Sequence, residues 1–225
     1  MLKRQSIYYQ CFKQDLQVVR KYVSILIVSI LICNASWSQE DQMVELKELI
    51  PHLRYDLKYA SKQNFTGKRV YPKDTESTYL VREAAQSLKN IAKELETKNL
   101  GLLIWDAYRP YKATVKFWRM IHDERYVANP AKGSGHNRGI AVDLTLYEIS
   151  TGELLEMPTG FDNFSDTAHH DFMMLAEKKI MNRQLLKNTM EKHGFKSLET
   201  EWWHYAWPND RNYPIMNISF KRLNK

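Results

Sequence analysis

The chain has 225 residues, of which 44% are hydrophobic and 26% charged, the make-up of an ordinary globular protein and enough length for one domain with a sizeable core. Composition therefore excludes a disordered or low-complexity protein. The net charge is +7, but residues 1–38 carry five Lys/Arg and one Asp; the other 28 basic and 25 acidic residues net +3, too weak an excess to argue for a nucleic-acid partner.

Arg20 and Lys21 precede a run over residues 22–33 that is apolar except for Ser24 and Ser29, followed by the small residues Ala35, Ser36 and Ser38. A basic region, an apolar region of about a dozen residues and a small-residue exit are the parts of a secretory signal. The run falls short of the ~20 residues of an ordinary bilayer span. Cleavage after Ser38 is expected, leaving a mature domain of residues 39–225, secreted across an inner membrane to the periplasm. An uncleaved anchor and a start codon downstream of Met1 stay open. Cys11 and Cys33 both lie in this segment, so the mature domain has no disulfide and no thiolate metal ligand.

In chain order, residues 43–60 read as a short helix or turn, broken at Pro51, then an extended stretch over residues 53–59. Phe65-Thr-Gly67 and Tyr71-Pro72 mark loops. Over residues 79–98, Leu80, Ala84, Leu88, Ile91, Ala92 and Leu95 recur at helical spacing, with Ser77 or Thr78 as cap. Residues 101–106 read as a buried strand, and Pro110 suits the first turn of a helix over residues 111–122. Residues 126–138 are loop, residues 140–147 an alternating strand, and Ser150-Thr-Gly152 a hairpin turn. A polar loop spans residues 157–167. A helix is expected over residues 168–193, with a break near Asn182 and Gly194 as its stop. Strands at residues 201–207 and 215–220 end the chain. The irregular alternation, without repeated βαβ units, predicts a single α+β domain with a central antiparallel sheet and flanking helices.

Two stretches carry chemistry. Ser134-Gly-His136-Asn-Arg-Gly139-Ile-Ala-Val-Asp143 and Glu201-Trp-Trp-His204 together offer two imidazoles and a carboxylate to a metal, with a second carboxylate as base. A catalytic zinc site needs that inventory: three protein ligands, a fourth position for water, and a proton acceptor. Gly135 and Gly139 let the chain bend so that His136 folds back toward the strand bearing Asp143. Glu201 and His204 point to opposite sides of a regular strand, so only a bulge or turn would bring them together. Trp202 and Trp203 read as water-excluding packing. His169-His170 read as structural or helix-start residues, because adjacent residues rarely converge on one ion, and His193 reads as a helix C-terminus.

The combination resembles the zinc peptidases that act on D-alanyl peptides of bacterial walls, and within them the VanX-type D-alanyl-D-alanine dipeptidases. The resemblance runs from about residue 45 to near the end. It rests on Tyr55-Asp-Leu-Lys-Tyr59-Ala with Asn64-Phe-Thr-Gly67, Trp105-Asp-Ala-Tyr-Arg109-Pro110, the run from His136 to Tyr147, Thr159-Gly-Phe-Asp162 with His169-His170, and Glu201-Trp-Trp-His-Tyr205. It implies one zinc on the sheet, held by His136, Asp143 and His204. Glu201 would be the general base, and Arg109 would steady the oxyanion. Tyr59 and Ser134 would lie near the substrate, at its carboxylate, and Asp162 near its amine. Gly135 stands where members often carry serine, so the resemblance does not carry over a second hydroxyl contact there, while the metal set is unaffected. The implied substrate is D-Ala-D-Ala, in cell-wall metabolism. The alternatives are a D,D-carboxypeptidase or endopeptidase on longer wall peptides, and a non-catalytic module that keeps zinc for folding.

Overall fold

Two apolar stretches, residues 100–106 and 141–148, pair at the middle of a sheet. The computed structural model describes residues 42–224; the expected export segment and its cleavage point lie outside the described residues. In chain order the elements are β1 (Met43–Glu45), α1 (Leu46–Leu49), β2 (Arg54–Tyr55), β3 (Tyr79–Val81), α2 (Arg82–Glu96), β4 (Leu100–Asp106), α3 (Tyr111–Trp118), β5 (Ala141–Glu148), α4 (Glu177–Lys192), β6 (Lys196–Leu198), β7 (Glu201–Ala206) and α5 (Phe220–Leu223). The main sheet runs β2-β4-β5-β7-β6, and β1 and β3 form a separate antiparallel pair. Every neighbour in the main sheet is antiparallel except the short edge pair β2–β4, which is parallel. The α+β class holds, with that one parallel edge as a correction.

Burial explains why β4 and β5 are central. Leu102, Ile104, Val142, Leu144 and Leu146 share a core with Ala84, Leu88, Ile91 and Leu95 of α2 and with Leu186 and Met190 of α4. A second, largely aromatic cluster gathers Tyr59, Tyr71, Tyr79, Tyr108, Phe117 and Phe220. Full burial of such side chains contributes about 1.5–3 kcal/mol each before chain entropy is counted.

Several boundaries differ from expectation, each for a hydrogen-bonding reason. α2 begins at Arg82 with Val81 as an N-cap lacking any side-chain bond, because Tyr79–Val81 is drawn into a strand instead. The Val81 N–H donates to the Gly139 carbonyl, 2.8 Å, tying that strand to the turn after His136. α3 stops at Trp118 and not at 122, its end closed by the Met120 and Ile121 amides on the Phe117 carbonyl. Residues 215–220 form no strand. They satisfy other groups: Met216 accepts from the Tyr111 amide, Asn217 caps Lys112, and Ile218 exchanges two bonds with the Tyr108 hydroxyl. The expected helix over 168–193 exists only from Glu177, and it runs unbroken through Asn182, whose side chain donates to the Glu156 carbonyl. Residues 53–59 are only partly extended, with a 3-10 turn at Lys58–Ala60. The turn at residues 150–152 is present, with Gly152 at φ 79°, and Gly194 at φ 92° follows α4.

β4 has one steric constraint that a single substitution tests. A Cβ on Gly101 would lie 2.4 Å from the Tyr147 ring, which is buried and holds the His52 carbonyl through its hydroxyl. Gly101→Ala is expected to cost about 1–3 kcal/mol of unfolding free energy, as overpacking does, measured by denaturant titration. An unchanged midpoint and slope would contradict this packing.

Candidate active site and metal centre

Register brings the metal-ligand candidates together. In the β5–β7 pairing Asp143 stands directly opposite His204. On the other side of β5, a shift between Ile104 and Asp106 leaves Trp105 as an extra residue in β4, so Asp106 also comes level with Asp143. His136 arrives from the short 3-10 turn His136–Arg138 just before β5. Gly139 ends that turn in the left-handed region at φ 66°, where a side chain would be strained. Gly135 keeps ordinary right-handed angles; its role is steric, since a Cβ there would sit 2.9 Å from that of Ala141. The bend thus comes from one of the two expected glycines.

The donor atoms converge. His136 Nε2 lies 3.2 Å from His204 Nδ1 and 3.3 Å from Asp143 Oδ2, and His204 Nδ1 lies 2.8 Å from Asp143 Oδ1. Among the described residues these three form one group able to hold a cation. His136 Nδ1 is 2.7 Å from the Ala107 carbonyl. A carbonyl only accepts, so that nitrogen carries the proton and Nε2 keeps its lone pair for the site. Ligands about 2.0–2.1 Å from a tetrahedral zinc stand roughly 3.3 Å apart, so the 3.2 Å between the two imidazole nitrogens suits a zinc that also takes an Asp143 oxygen. Burial opposes the Asp143 charge, but the His136 and His204 imidazoles hold its carboxyl below the usual carboxylate range.

Glu201 reaches the same cleft through an irregularity in β7. Leu198 pairs with Glu201 across a two-residue hairpin, yet Ser197 pairs with Tyr205, so β7 advances four residues where β6 advances one. This bulge breaks strand alternation. Glu201 and His204 therefore both line the cleft, as the sequence allowed only with a bulge or turn. Burial, with Asp143 and Asp162 nearby, pushes the Glu201 carboxyl well above its usual range. Trp202 is fully buried and bonds Thr159 through its indole N–H, as expected of packing, whereas buried Trp203 also contributes to the cleft wall.

Arg109 is buried at the end of the turn after β4. Its Nε donates to Asp106 Oδ2 at 2.9 Å, and Nη2 lies 3.6 Å from Asp143 Oδ2. Burial works against its charge, but Asp106 and its neighbours keep it protonated. Asn137, which sequence reasoning passed over, staples this arrangement: its amide donates to the Arg109 carbonyl and Thr114 hydroxyl and accepts from the Ser134 amide.

The cleft has a volume of about 220 Å³ and is lined by all eight residues singled out from the sequence: Tyr59, Arg109, Ser134, His136, Asp143, Asp162, Glu201 and His204. That is below the roughly 300–1,000 Å³ of pockets for drug-sized ligands. Ser134 Oγ accepts from the His136 amide at 3.2 Å, which leaves its hydroxyl proton free to donate. Asp162, at φ 57°, is held from both sides by the Tyr59 hydroxyl at 3.1 Å and the Phe65 amide at 3.2 Å. Burial, and then Asp143, push its carboxyl up to about 7 against the opposing bonds. The Tyr59 hydroxyl is thus committed to Asp162. The rim was missed from sequence: Phe65 packs on Phe117 and Phe164, and Phe164 on Tyr126, with centroid distances of 5.1, 5.4 and 4.8 Å. His169 and His170 stay out of the cleft, in the turn that follows the 3-10 helix Asp166–Ala168 and not at a helix start. His193 caps the C-terminus of α4 and meets Glu94 at 2.8 Å.

Residues 39–222 match the peptidase M15 family, described as D-ala-D-ala dipeptidase. The D-alanyl-D-alanine dipeptidase of Escherichia coli (strain K12) is 34% identical over 183 residues, spanning 81% of this chain and 93% of that protein. The D-alanyl-D-alanine dipeptidase of Enterococcus faecium is 35% identical over 193 residues, 78% of this chain and 95% of its own. That of Enterococcus faecalis (strain ATCC 700802 / V583) is 33% identical over 199 residues, 80% and 98% respectively. With identity above 30% along nearly the full length of these relatives, the chain belongs to the D-Ala-D-Ala dipeptidase family of M15 peptidases.

Proposed function

We propose that this protein is an exported zinc dipeptidase that hydrolyses D-Ala-D-Ala in the periplasm, in the turnover of wall peptides. The observation that carries the reading is the convergence of two imidazole nitrogens 3.2 Å apart on the Asp143 carboxylate, whose two oxygens lie 2.8 and 3.3 Å from them, with a buried glutamate and a buried arginine on one small cleft. His136, Asp143 and His204 would hold the ion. When bound, zinc supplies a Lewis acid and makes water acidic enough to be a nucleophile near neutral pH.

The remaining work belongs to the chain's own groups. Glu201, whose raised affinity for protons suits proton traffic, takes a proton from the attacking water and returns one to the leaving amine. Arg109, fixed by Asp106, offers a preorganised positive charge to the oxygen that becomes negative as the peptide carbonyl turns tetrahedral. Asp162 faces the substrate's ammonium, and Tyr59 holds Asp162 from behind, so Tyr59 belongs to the amine end and Ser134 to the carboxylate end. An acidic group at one end of a cleft of about 220 Å³, with an aromatic rim, favours a free dipeptide over a longer peptide with an acylated amine. A structural zinc module would need neither the base nor the arginine.

Three outcomes are expected of the purified domain, residues 39–225. Wild type binds about one zinc per chain and loses hydrolysis with a chelator, while His204→Ala loses the zinc itself, as read by elemental analysis. Glu201→Ala and Arg109→Ala keep zinc but lose turnover, Arg109→Ala by about 100- to 1000-fold, the usual loss when an oxyanion donor is removed; unchanged turnover would contradict the assigned roles. N-acetyl-D-Ala-D-Ala is cleaved with a far lower kcat/KM than D-Ala-D-Ala, and Asp162→Asn narrows that ratio; equal rates on both substrates would favour the carboxypeptidase alternative.

A further inference from the structure

Tyr71 stands outside the cleft lining, yet its hydroxyl ends in the machinery. It donates to Asp106 Oδ1 at 2.8 Å, and Asp106 Oδ2 accepts from Arg109 Nε at 2.9 Å. Asp106 is completely buried, so each oxygen of this carboxylate needs a donor from the protein. The side-chain bonds divide cleanly, with Oδ1 to Tyr71 and Oδ2 to Arg109. We infer that Tyr71 is a positioning residue for catalysis, clamping Asp106 in the one rotamer that aims the Arg109 guanidinium at the cleft.

The geometry gives the reason. A carboxylate anchored at one oxygen can swing about its χ2 torsion, which is broad and shallow. Because Arg109 Nε is held by Asp106, a swing would rotate the guanidinium plane and move Nη2 from its place 3.6 Å from Asp143. Misplacement of a preorganised charge by even 1 Å can cost on the order of 100-fold in rate. The Tyr71 ring does separate work, packing on Tyr59 and Phe220. Tyr71→Phe keeps that packing and removes only the clamp. This inference rests on the assignment of Arg109 to the developing negative charge.

The test uses the zinc-loaded enzyme and D-Ala-D-Ala. Tyr71→Phe should lower kcat on the order of 10-fold, with KM and zinc content unchanged, as expected when an interaction made only in the transition state is weakened. Affinity for the tetrahedral phosphinate analogue of the dipeptide should fall by the same factor as kcat/KM. Tyr71→Phe with Asp106→Asn should be no slower than Asp106→Asn alone, because both act through one contact. Tyr55→Phe is the control: its hydroxyl holds Glu45 far from the cleft, so it should lower thermal stability without touching kcat. If Arg109→Ala turns over normally, the Arg109 assignment itself fails. If Arg109→Ala is inactive while Tyr71→Phe keeps its kcat and phosphinate affinity, or if the two losses multiply independently in the double variant, the positioning role is overturned and the assignment stands.

Discussion

The pairing of Asp143 with His204 across β5 and β7 is the contact on which the rest of the site depends. It is a cross-strand pair, set by backbone hydrogen bonding, so its geometry is as rigid as the sheet. His136 needs only the Gly139 turn to join it, and the Ala107 carbonyl fixes its tautomer. A one-residue slip of β7 would turn His204 to the other face and dissolve the group. Burial of Val142, Leu144, Trp202 and Tyr205 at the core guards against that slip.

The same cleft concentrates charge in an unusual way. Asp143, Asp162 and Glu201 line it with Asp106 just behind Arg109, and burial pushes the Asp106, Asp162 and Glu201 carboxyls toward their protonated forms. A buried excess of negative charge is costly unless a cation offsets it. The donor set (two imidazoles, one carboxylate, no thiolate) and the surrounding carboxyls therefore both suit a divalent ion. Binding it would favour the charged form of Glu201, so the metal and the Glu201 carboxyl would be electrostatically linked.

Periodicity captured the elements whose residues repeat regularly. α2, β4 and β5 were readable because their apolar spacing reports directly on burial. It failed where hydrogen bonds, and not burial, decide. Residues 215–220 alternate like a strand but spend their backbone groups on the start of α3 and on Tyr108. Residues 168–176 carry enough apolar side chains to suggest a helix, yet Met173 and Met174 are exposed, 62% and 84%, so no buried face exists there to stabilise one. The site was legible as a set of residue types and through its family resemblance. Its geometry was not, because two β-bulges decide which side chains share a face. Asp106, Asn137 and the aromatic rim went unassigned for a related reason: their partners lie far along the chain, as Tyr71 lies 35 residues from Asp106.

The central claim is that one zinc is gripped by His136, Asp143 and His204. Zinc-edge X-ray absorption on the purified, zinc-loaded enzyme tests it most directly. The account predicts a first shell of nitrogen and oxygen only, about 2.0–2.1 Å from the metal, with the outer-shell scattering of two imidazoles. That scattering should fall to one imidazole in His204→Ala reconstituted at high zinc. A sulfur shell, or a spectrum indifferent to His204, would contradict it.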